Sequence, residues 1–453
     1  MRIPKEPLQR DLFYLDLIQK CLVSREERRP DYATLRSWYL FGNGPSETPA
    51  IFNKIYPHID QLTSFLYSAE TTRFSINLGA AVNDLEHRKI PTLTRALNDE
   101  WLNSNADQVF SQAVSWSLAY SSTFVKIIMN NVNLDLAGNN KYKATVSEET
   151  VEMIELWVWN DDIGDYQVVT RADPDIIIYD RPGEQVFLKG ELPFIQVCPN
   201  PLYDYYWGQS EVSRMIYLQQ LRTKRLAEIL DLLSKQVSPP TALIGFTGIL
   251  DEKNFALNRA GGLLATDMPN AKVEKLAPVI PPDLFRELDK IDQMFEEVSG
   301  IGNVLQGKGE AGVRSSGHAS QLARMGSSRA KKRALVVEDS LEKLATLYLK
   351  CMQAYDDTHF KDTQGVPFIA EQFTEDFVVK VDAHSNSPIF TEDLRQLAFN
   401  LFKAGAIDKE SLLDLLEPPM KQLLVDRLKK LEKAQAEQAA AAPPKSPGPQ
   451  PKE

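Results

Sequence analysis

The chain has 453 residues, of which 43% are apolar and 25% are charged, and its formal net charge is −11. The length predicts two to four structural units, because a single hydrophobic core rarely serves so long a chain. The acidic balance argues against a protein that coats nucleic acid, since sequence-independent binding relies on many Lys and Arg side chains.

The cysteines and the apolar runs bear on the cellular setting. Cys21, Cys198 and Cys351 lie far apart, which gives neither a disulfide framework nor a metal-binding spacing. The run T-A-L-I-G-F-T-G-I-L, residues 241–250, is about half of a membrane span. The N-terminus M-R-I-P-K-E-P-L-Q-R lacks the apolar region of a secretory signal. We therefore expect an intracellular protein that does not associate with a membrane.

The N-terminal part predicts helices followed by strands. Helical periodicity occurs in residues 8–23, 51–67 and 93–121. The period changes to two in T-F-V-K-I-I-M, and T-V-E-M-I-E-L-W-V-W and Y-Q-V-V-T-R, joined by N-D-D-I-G-D, have the signature of a β-hairpin. D-I-I-I-Y and P-F-I-Q-V-C add two short strands. Residues 123–200 are thus expected to form a β-rich unit, and the fold class is α+β.

Two helices bracket a compact unit in the middle of the chain. Residues 209–238 contain neither Gly nor Pro and carry an apolar stripe, which predicts a helix about 40 Å long. Residues 283–298 repeat apolar side chains at three-to-four spacing and predict an amphipathic helix. The intervening residues, about forty, contain S-P-P-T-A-L-I-G-F and N-R-A-G-G-L-L-A, which indicate a small mixed unit.

The stretch G-N-V-L-Q-G-K-G, residues 302–309, is one residue short of the phosphate-binding pattern G-x-x-x-x-G-K-[ST]. Gly309 occupies the position at which that motif needs a Ser or Thr hydroxyl to bind Mg²⁺. The motif also follows a strand, whereas the segment before this stretch predicts a helix. Both departures disfavour a nucleotide-binding enzyme, and no cofactor is predicted. The glycines, among them Gly307 and Gly312, make a fixed conformation entropically costly and suit a segment that shifts.

Basic residues concentrate around this loop. Residues 302–333 hold seven Lys and Arg side chains against one acidic residue, Glu310. The basic residues are Lys308, Arg314, Arg324, Arg329, Lys331, Lys332 and Arg333. A polyanion could meet this segment locally, although charge runs on helices are more often solvated faces. Both readings remain open for the run R-A-K-K-R.

Signals for other chemistry are weak. The five histidines show no paired spacing, so the short runs D-D-T-H and D-A-H are better explained as surface residues than as metal ligands. The G-x-S-x-G elbow of serine hydrolases does not occur. The cluster Y-D-Y-Y-W, residues 203–207, could stack on bases, but a packed start to the long helix fits it better. We therefore predict no catalytic and no metal-binding residues.

The C-terminal part predicts one very long helix and a tail. Residues 315–356 lack Pro, and the sequence G-S-S at 326–328 is the natural place for a bend. The short strand F-V-V-K-V and two helices within residues 394–433 follow. The end of the chain, rich in Ala, Pro and Gln, has almost no residue able to join a core and is expected to be disordered.

The order of these parts resembles the portal (head-to-tail connector) proteins of tailed double-stranded DNA bacteriophages. The features that carry the resemblance are the N-terminal helices with a β-rich unit, the long helix preceded by W-G-Q-S, the proline-bounded excursion, the returning helix, the glycine loop, and the long helix with S-G-H-A-S near its start. Their order extends from about Ile51 to Asp356.

The resemblance implies a mainly helical portal fold with a β-rich wing, a helical stem, a small mixed clip and a helical crown. The units in chain order are the wing (1–208), stem helix 1 (209–237), the clip (238–281), stem helix 2 (282–299), the tunnel loop (300–316), the long wing helix (317–360), the C-terminal wing strand with the crown helices (361–433) and the disordered tail (434–453).

The resemblance also implies a function. Portals form a ring, usually of twelve subunits, at one capsid vertex, and the ring conducts DNA during packaging and ejection. The tunnel loop would place Lys308 and Arg314 near the DNA phosphates, while Gly307, Gly309 and Gly312 would let the loop shift. Arg324, Arg329, Lys331, Lys332 and Arg333 would be basic groups at the channel wall. Glu310 departs from a purely attractive loop.

The partners implied are further copies of the chain, the large terminase packaging ATPase, a head–tail adaptor, the major capsid and scaffolding proteins, and the double-stranded DNA that passes through. The protein would be made in the host cytoplasm and would reside at the portal vertex of the virion. Two alternatives stay open, namely a nucleotide-dependent enzyme that uses the near-match to a phosphate loop, and a different structural protein of the virion.

Overall fold

The structure is a computed structural model that describes residues 2–45, 52–67, 72–78, 84–128, 153–172, 176–237, 239, 241–244, 270, 272–275, 279–300, 328–373, 377–381, 398–409, 412–413 and 427. The tunnel loop beyond Gly300, the predicted bend at Gly326 and the C-terminal tail lie outside these ranges. Most of the expected clip and crown lies outside them as well.

The described residues form an α+β fold, as predicted. The helices are α1 (Pro7–Phe41), α2 (Ile55–Leu66), α3 (Asp84–His87), α4 (Ile90–Asn103), α5 (Ala106–Tyr120), α6 (Glu211–Val237), α7 (Asp283–Ser299) and α8 (Ser328–Tyr355). The strands are β1 (Phe74–Leu78), β2 (Thr123–Lys126), β3 (Met153–Asn160), β4 (Asp165–Ala172), β5 (Ile176–Pro182), β6 (Phe194–Val197), β7 (Thr241–Ile244), β8 (Lys272–Lys275), β9 (Phe360–Lys361), β10 (Pro367–Phe368) and β11 (Phe377–Val381).

One large hydrophobic core joins α2, α4, α5, α6, α7 and α8. Each helix contributes apolar residues at three-to-four spacing, such as Leu93, Leu97 and Trp101 of α4, which places them on one face. The indole of Trp101 packs edge-to-face against Phe74 of β1 at a centroid distance of 4.9 Å. This core brings residues from the first 70 positions against the helix that ends at Tyr355.

The predicted helix over 93–121 is two helices in the structure. The chain breaks at Ser104–Asn105, where Asn105 has a left-handed φ of 54°, a conformation that Asn tolerates better than most residues. The buried carboxylate of Asp107 lies just after the break and accepts hydrogen bonds from Tyr67 Oη and Trp101 Nε1, each at 2.7 Å. The break therefore turns α5 so that one carboxylate satisfies two buried donors.

Helix α1 extends far beyond the predicted residues 8–23. It continues through Pro30 to Phe41 and ends in a left-handed Gly42 whose N–H donates to the Trp38 carbonyl at 3.0 Å. Proline normally interrupts a helix, but here Trp38 is buried in the large core and holds the last turns in place. Tertiary packing thus extends the helix past a sequence signal for its end.

The predicted β-hairpin is present and forms a three-stranded sheet in the order β3–β4–β5, with each neighbouring pair antiparallel. Asp165 organises one end of it, because its carboxylate accepts backbone N–H groups from Glu184 at 2.9 Å and Gly190 at 2.7 Å. The first half of α1 covers one face of the sheet through Tyr14, which packs with Val158 and Val169.

Two further pairings join distant parts of the chain. Strands β2 and β6 pair antiparallel, in agreement with the β-rich unit predicted for 123–200. Strand β1 pairs antiparallel with β11, with Ile76 opposite Val379. The sequence analysis predicted β11 from F-V-V-K-V but missed β1, although its five residues F-S-I-N-L alternate apolar and polar side chains, because the run is short and its partner strand is distant in sequence.

Helices α6 and α7, predicted over 209–238 and 283–298, are confirmed. They form an antiparallel pair linked by β7 and β8, which pair with each other. Helix α8 begins at Ser328 in the described residues and continues to Tyr355. Within the described ranges, none of the helices combines the length and apolar character needed to cross a lipid bilayer.

Candidate functional site

The candidate site is the group of charged side chains on α6, α7, α8 and Lys54, just before α2, that hold the helices on either side of the glycine-rich segment. Helix α7 leads into that segment and ends at Gly300, which has a left-handed φ of 75° and donates its N–H to the Glu296 carbonyl at 3.0 Å. Helix α8 continues the chain from Ser328. The neighbours of these two helices determine where both ends of the segment lie.

Asp292 anchors α7. Its Oδ1 accepts hydrogen bonds from Lys54 Nζ at 2.7 Å and from Arg222 Nε at 2.8 Å, so one carboxylate joins α7 to α6 and to the start of α2. Burial opposes ionisation of Asp292, but the hydrogen bonds from the two cations outweigh burial and lower its pKa. The apolar neighbours Ile291 and Phe295 are buried in the large core.

Gln219 fixes the start of α2 on α6. Its side chain is fully buried; Oε1 accepts the Lys54 N–H at 3.1 Å and Nε2 donates to the Phe52 carbonyl at 2.9 Å. An amide that pairs with both a donor and an acceptor of a neighbouring segment sets its position. Lys54 is thereby held where its ammonium can reach Asp292.

Glu211 anchors α8. Its carboxylate is fully buried, and Oε1 accepts from Arg333 Nη2 at 2.6 Å and from Arg214 Nη1 at 3.1 Å. Arg214 also donates to Gln209 Oε1 through Nε and Nη2. Glu211 lies in the first turn of α6, where the helix dipole favours a negative charge. The pair with Arg333 holds the start of α8 against the start of α6.

His58 of α2 is a buried residue near one cation of each anchor. Its ring is buried, and the cations Arg333 and Lys54 are near it. Burial first, and then these two positive charges, lower the pKa of His58 from 6.5 to about 4. The imidazole is therefore neutral at physiological pH.

The predicted DNA-channel residues fall into two groups. Lys308, Arg314, Gly307, Gly309, Gly312 and Arg324 lie outside the described residues. The other four belong to the first turns of α8, where the side chain of Arg329 is not described, Lys331 is half-buried and Lys332 is exposed.

Arg333 was predicted to be a basic group at a channel wall. Its side chain is buried and ion-paired with Glu211. It lies one helical turn before Val337 on the inner face of α8, beside buried Ala334. In this chain the guanidinium binds a carboxylate of α6, so Arg333 is an anchor of the fold.

The aromatic segment Tyr203–Trp207 is part packed and part exposed. Trp207 packs edge-to-face against Phe124 at 5.9 Å and receives the guanidinium of Arg28 over its ring at 3.6 Å. This agrees with the prediction of a packed start to α6. Tyr203, in contrast, is fully exposed.

The charged groups of the site can support the fold by joining helices. The described residues contain no group of three or more His, Cys, Asp or Glu side chains able to hold a metal ion. The contacts of Asp292 and Glu211 are ion pairs between helices, each of which fixes one element against another. These residues can position the glycine-rich segment.

Most of this network leaves no pattern in the sequence. Glu211 and Asp292 are single acidic residues in helices that contain many charges, so their burial leaves no sequence pattern. Arg222 left a usable signal, because it lies seven residues after Met215 and seven before Ile229, within the apolar stripe of α6. A charged residue in such a stripe predicts a buried partner.

The comparison with protein families identifies the class. A family model described as phage SU10 portal protein matches residues 129–453, which is more than two thirds of the chain. The chain belongs to this portal family. No curated protein matches the sequence.

Solved structures resemble the fold at low sequence identity. The virion of a native gene transfer agent particle contains a chain with 14% identity and a TM-score of 0.45, and the alignment covers 86% of this chain and 94% of that one. The neck of an empty gene transfer agent particle, computed with C6 symmetry, gives 12% identity and a TM-score of 0.44 over the same shares. The neck of the native particle, computed with C12 symmetry, gives 10% and 0.42, again over the same shares.

Proposed function

We propose that the protein is a portal of a phage-like virion. It assembles as a ring at one capsid vertex, with the twelve subunits usual for portals. DNA passes through this ring during packaging and ejection. The observation that carries the proposal is membership of the portal family over residues 129–453. A ring follows physically when two different surfaces of one chain meet head-to-tail and the rotation closes.

The proposed stem consists of α6 and α7. Arg222 pairs with Asp292, and Arg225, further along α6, pairs with Glu287, nearer the start of α7. The two ion pairs therefore occur in the order expected for antiparallel helices. They support the assignment of α6 and α7 as a stiff two-helix element. The proposed clip is the unit around β7 and β8 at the end of this pair, the proposed wing is residues 1–208 with α8, and the proposed crown is formed by the C-terminal helices.

The proposed tunnel loop is 300–316. Its cations Lys308 and Arg314 would meet DNA phosphates, and Gly307, Gly309 and Gly312 would let it move. The anchors at Asp292 and Glu211 support this assignment, because they fix the helices on both sides of the loop. The net charge of −11 suits transport, since a surface that grips phosphates would hold the DNA tightly and in a salt-dependent way.

The proposed partners follow from the same assignment. The clip would bind the large terminase and later a head–tail adaptor, and the outer wing would meet capsid and scaffolding proteins. The protein itself would act as a passive conduit without ATP hydrolysis, because Gly309 lacks the hydroxyl that the phosphate loop requires. Synthesis in the host cytoplasm is part of the proposal.

Ring formation tests the proposed function directly. We expect negative-stain images of the purified chain to show closed rings with a central hole, and analytical ultracentrifugation to show a large discrete species. A chain that stays monomeric at high concentration, or that forms open sheets, would contradict the portal assignment. Mg²⁺-dependent ATP binding that disappears in Lys308→Ala would favour the nucleotide-dependent alternative.

A further inference from the structure

The sheet β3–β4–β5 has an unusual open edge. Strand β5 pairs with β4 on one side, and its other side has no partner strand among the described residues. It begins with Ile176, Ile177 and Ile178, whose side chains are 62%, 40% and 50% exposed. Since successive side chains of a strand point to opposite faces, Ile176 and Ile177 expose apolar surface on both faces of this end of β5.

The isoleucine end of β5 carries one of the usual protections against pairing with another strand, a register shift opposite Thr170 and Arg171, but it has no Lys or Pro. Proteins commonly place Lys, Pro or a short strand at such an edge. In β5 the charged residues Asp180 and Arg181 and the proline Pro182 all lie at the opposite end, and Asp180 is already paired with Arg10 at 3.3 Å. The isoleucine end can therefore accept a further strand through its backbone.

The other edge of the same sheet offers a matching strand. Met153 of β3 lies opposite Ala172 of β4, and Ala172 lies opposite Ile176 of β5, so the three residues form one row across the sheet. Met153 is 57% exposed. One row therefore ends in an exposed apolar side chain at each edge, and the two edge strands have similar lengths of 8 and 7 residues.

We propose that β5 of one copy pairs with β3 of the next copy, so that the sheet continues between neighbours in the ring. This inference rests on the proposed ring. Strands β3 and β5 are both antiparallel to β4 and hence parallel to each other. A modest rotation between neighbours keeps that direction, so the new pair is parallel. Ile176 of one copy then lies beside Met153 of the next copy.

A second copy fits this edge better than an unrelated partner. A closed ring requires two different surfaces on each chain that complement each other, and the two edges of one sheet meet that requirement with apolar ends in the same row. Backbone hydrogen bonds give such a contact its direction, and the alternate side chains give it specificity. The contact lies within the proposed wing, outside the stem.

A charge placed on the edge tests the contact. Ile176→Lys with Ile178→Lys puts two cations on β5, and we expect the ring fraction at a fixed concentration to fall about tenfold or more. The thermal midpoint of the monomer should stay unchanged, because both side chains are exposed. Val366→Lys is the matched control, since it changes a similarly exposed β-branched residue in the turn between β9 and β10.

Cysteine cross-linking gives a second measurement that does not depend on the lysine variant. In a Cys21→Ser background, which removes the exposed native thiol, Ile176→Cys and Met153→Cys are made in separate chains. A mixture of the two should give cross-linked dimers under mild oxidation, and either variant alone should give far fewer. Cross-linking in the mixture supports the β5–β3 contact even if the lysine variant fails to fold.

The outcomes separate this inference from the proposed function. If the wild-type chain forms no ring, the portal proposal fails. If it forms rings, but the lysine variant forms them equally well and the cysteine mixture does not cross-link, the β5–β3 contact is overturned and the portal proposal stands. A lysine variant with a lower thermal midpoint, together with absent cross-links, would mean that the chain covers its own edge and would also overturn the inference.

Discussion

At the scale of single residues, the burial of His58 makes folding stability depend on pH. Burial of the imidazole, and then the nearby charges of Arg333 and Lys54, lower its pKa from 6.5 to about 4. Between pH 6.5 and about pH 4, His58 is protonated in the unfolded chain but neutral in the folded chain. The free energy of unfolding therefore falls as the pH falls through this range. Between pH 7 and pH 5 this single residue should reduce the free energy of unfolding by about 2 kcal/mol.

His58→Leu tests this effect. Leucine cannot be protonated, so the variant should lose about 2 kcal/mol less stability than the wild type between pH 7 and pH 5, as measured by urea unfolding at both values. His359→Leu is the control, because His359 is exposed on the segment that follows α8. Equal pH dependence in the wild type and in His58→Leu would show that the imidazole is not held neutral.

At the scale of secondary-structure elements, Asp292 carries the contact of α7 with α6 and α2. Asp292→Asn keeps the shape of the side chain but removes the charge that faces Lys54 and the largely buried Arg222. We expect a loss of about 1–2 kcal/mol in the free energy of unfolding, because a buried guanidinium keeps its desolvation cost after its charged partner is lost.

A second carboxylate of the same helix provides the control. Asp283 pairs with Arg286 at 3.4 Å, and both side chains are exposed, so Asp283→Asn should change stability by less than about 0.5 kcal/mol. Urea unfolding of the two variants under the same conditions gives the comparison. Equal effects would mean that the contacts of Asp292 are no stronger than a surface ion pair.

Sequence patterns predicted the elements whose signal is local. The hairpin β3–β4 followed from alternating residues around a turn, and α6 and α7 followed from long apolar stripes. The break at Asn105 was missed because it depends on hydrogen bonds that Tyr67 and Trp101 donate to Asp107. Tyr67 lies 40 residues before Asp107, so no local pattern indicates this contact. The anchors were missed for the same reason, since Arg333 meets Glu211 only in the folded chain.

At the scale of the whole molecule, the anchors separate the building of the fold from the proposed handling of DNA. The large core holds α6, α7 and α8 through residues such as Met215, Phe295 and Leu341. Two ion-paired carboxylates then fix the helices on either side of the glycine-rich segment. A segment whose flanking helices are fixed independently can change its length or charge at little cost to the scaffold.

That separation predicts that residues 307–313 can be deleted without loss of the ring. Their sequence G-K-G-E-A-G-V offers few side chains able to bury apolar area, so their deletion should cost little assembly energy. We expect the deleted chain to form rings, and particles built with it to hold less DNA, because the deletion removes Lys308 and displaces Arg314. Ring incorporation is measured on gels and DNA content by nuclease protection.

The double variant Lys308→Ala, Arg314→Ala keeps the length of the segment and isolates the contribution of charge. Particles that fill and retain DNA at the wild-type level would reduce the segment to a connector, and a failure to form rings would make it structural.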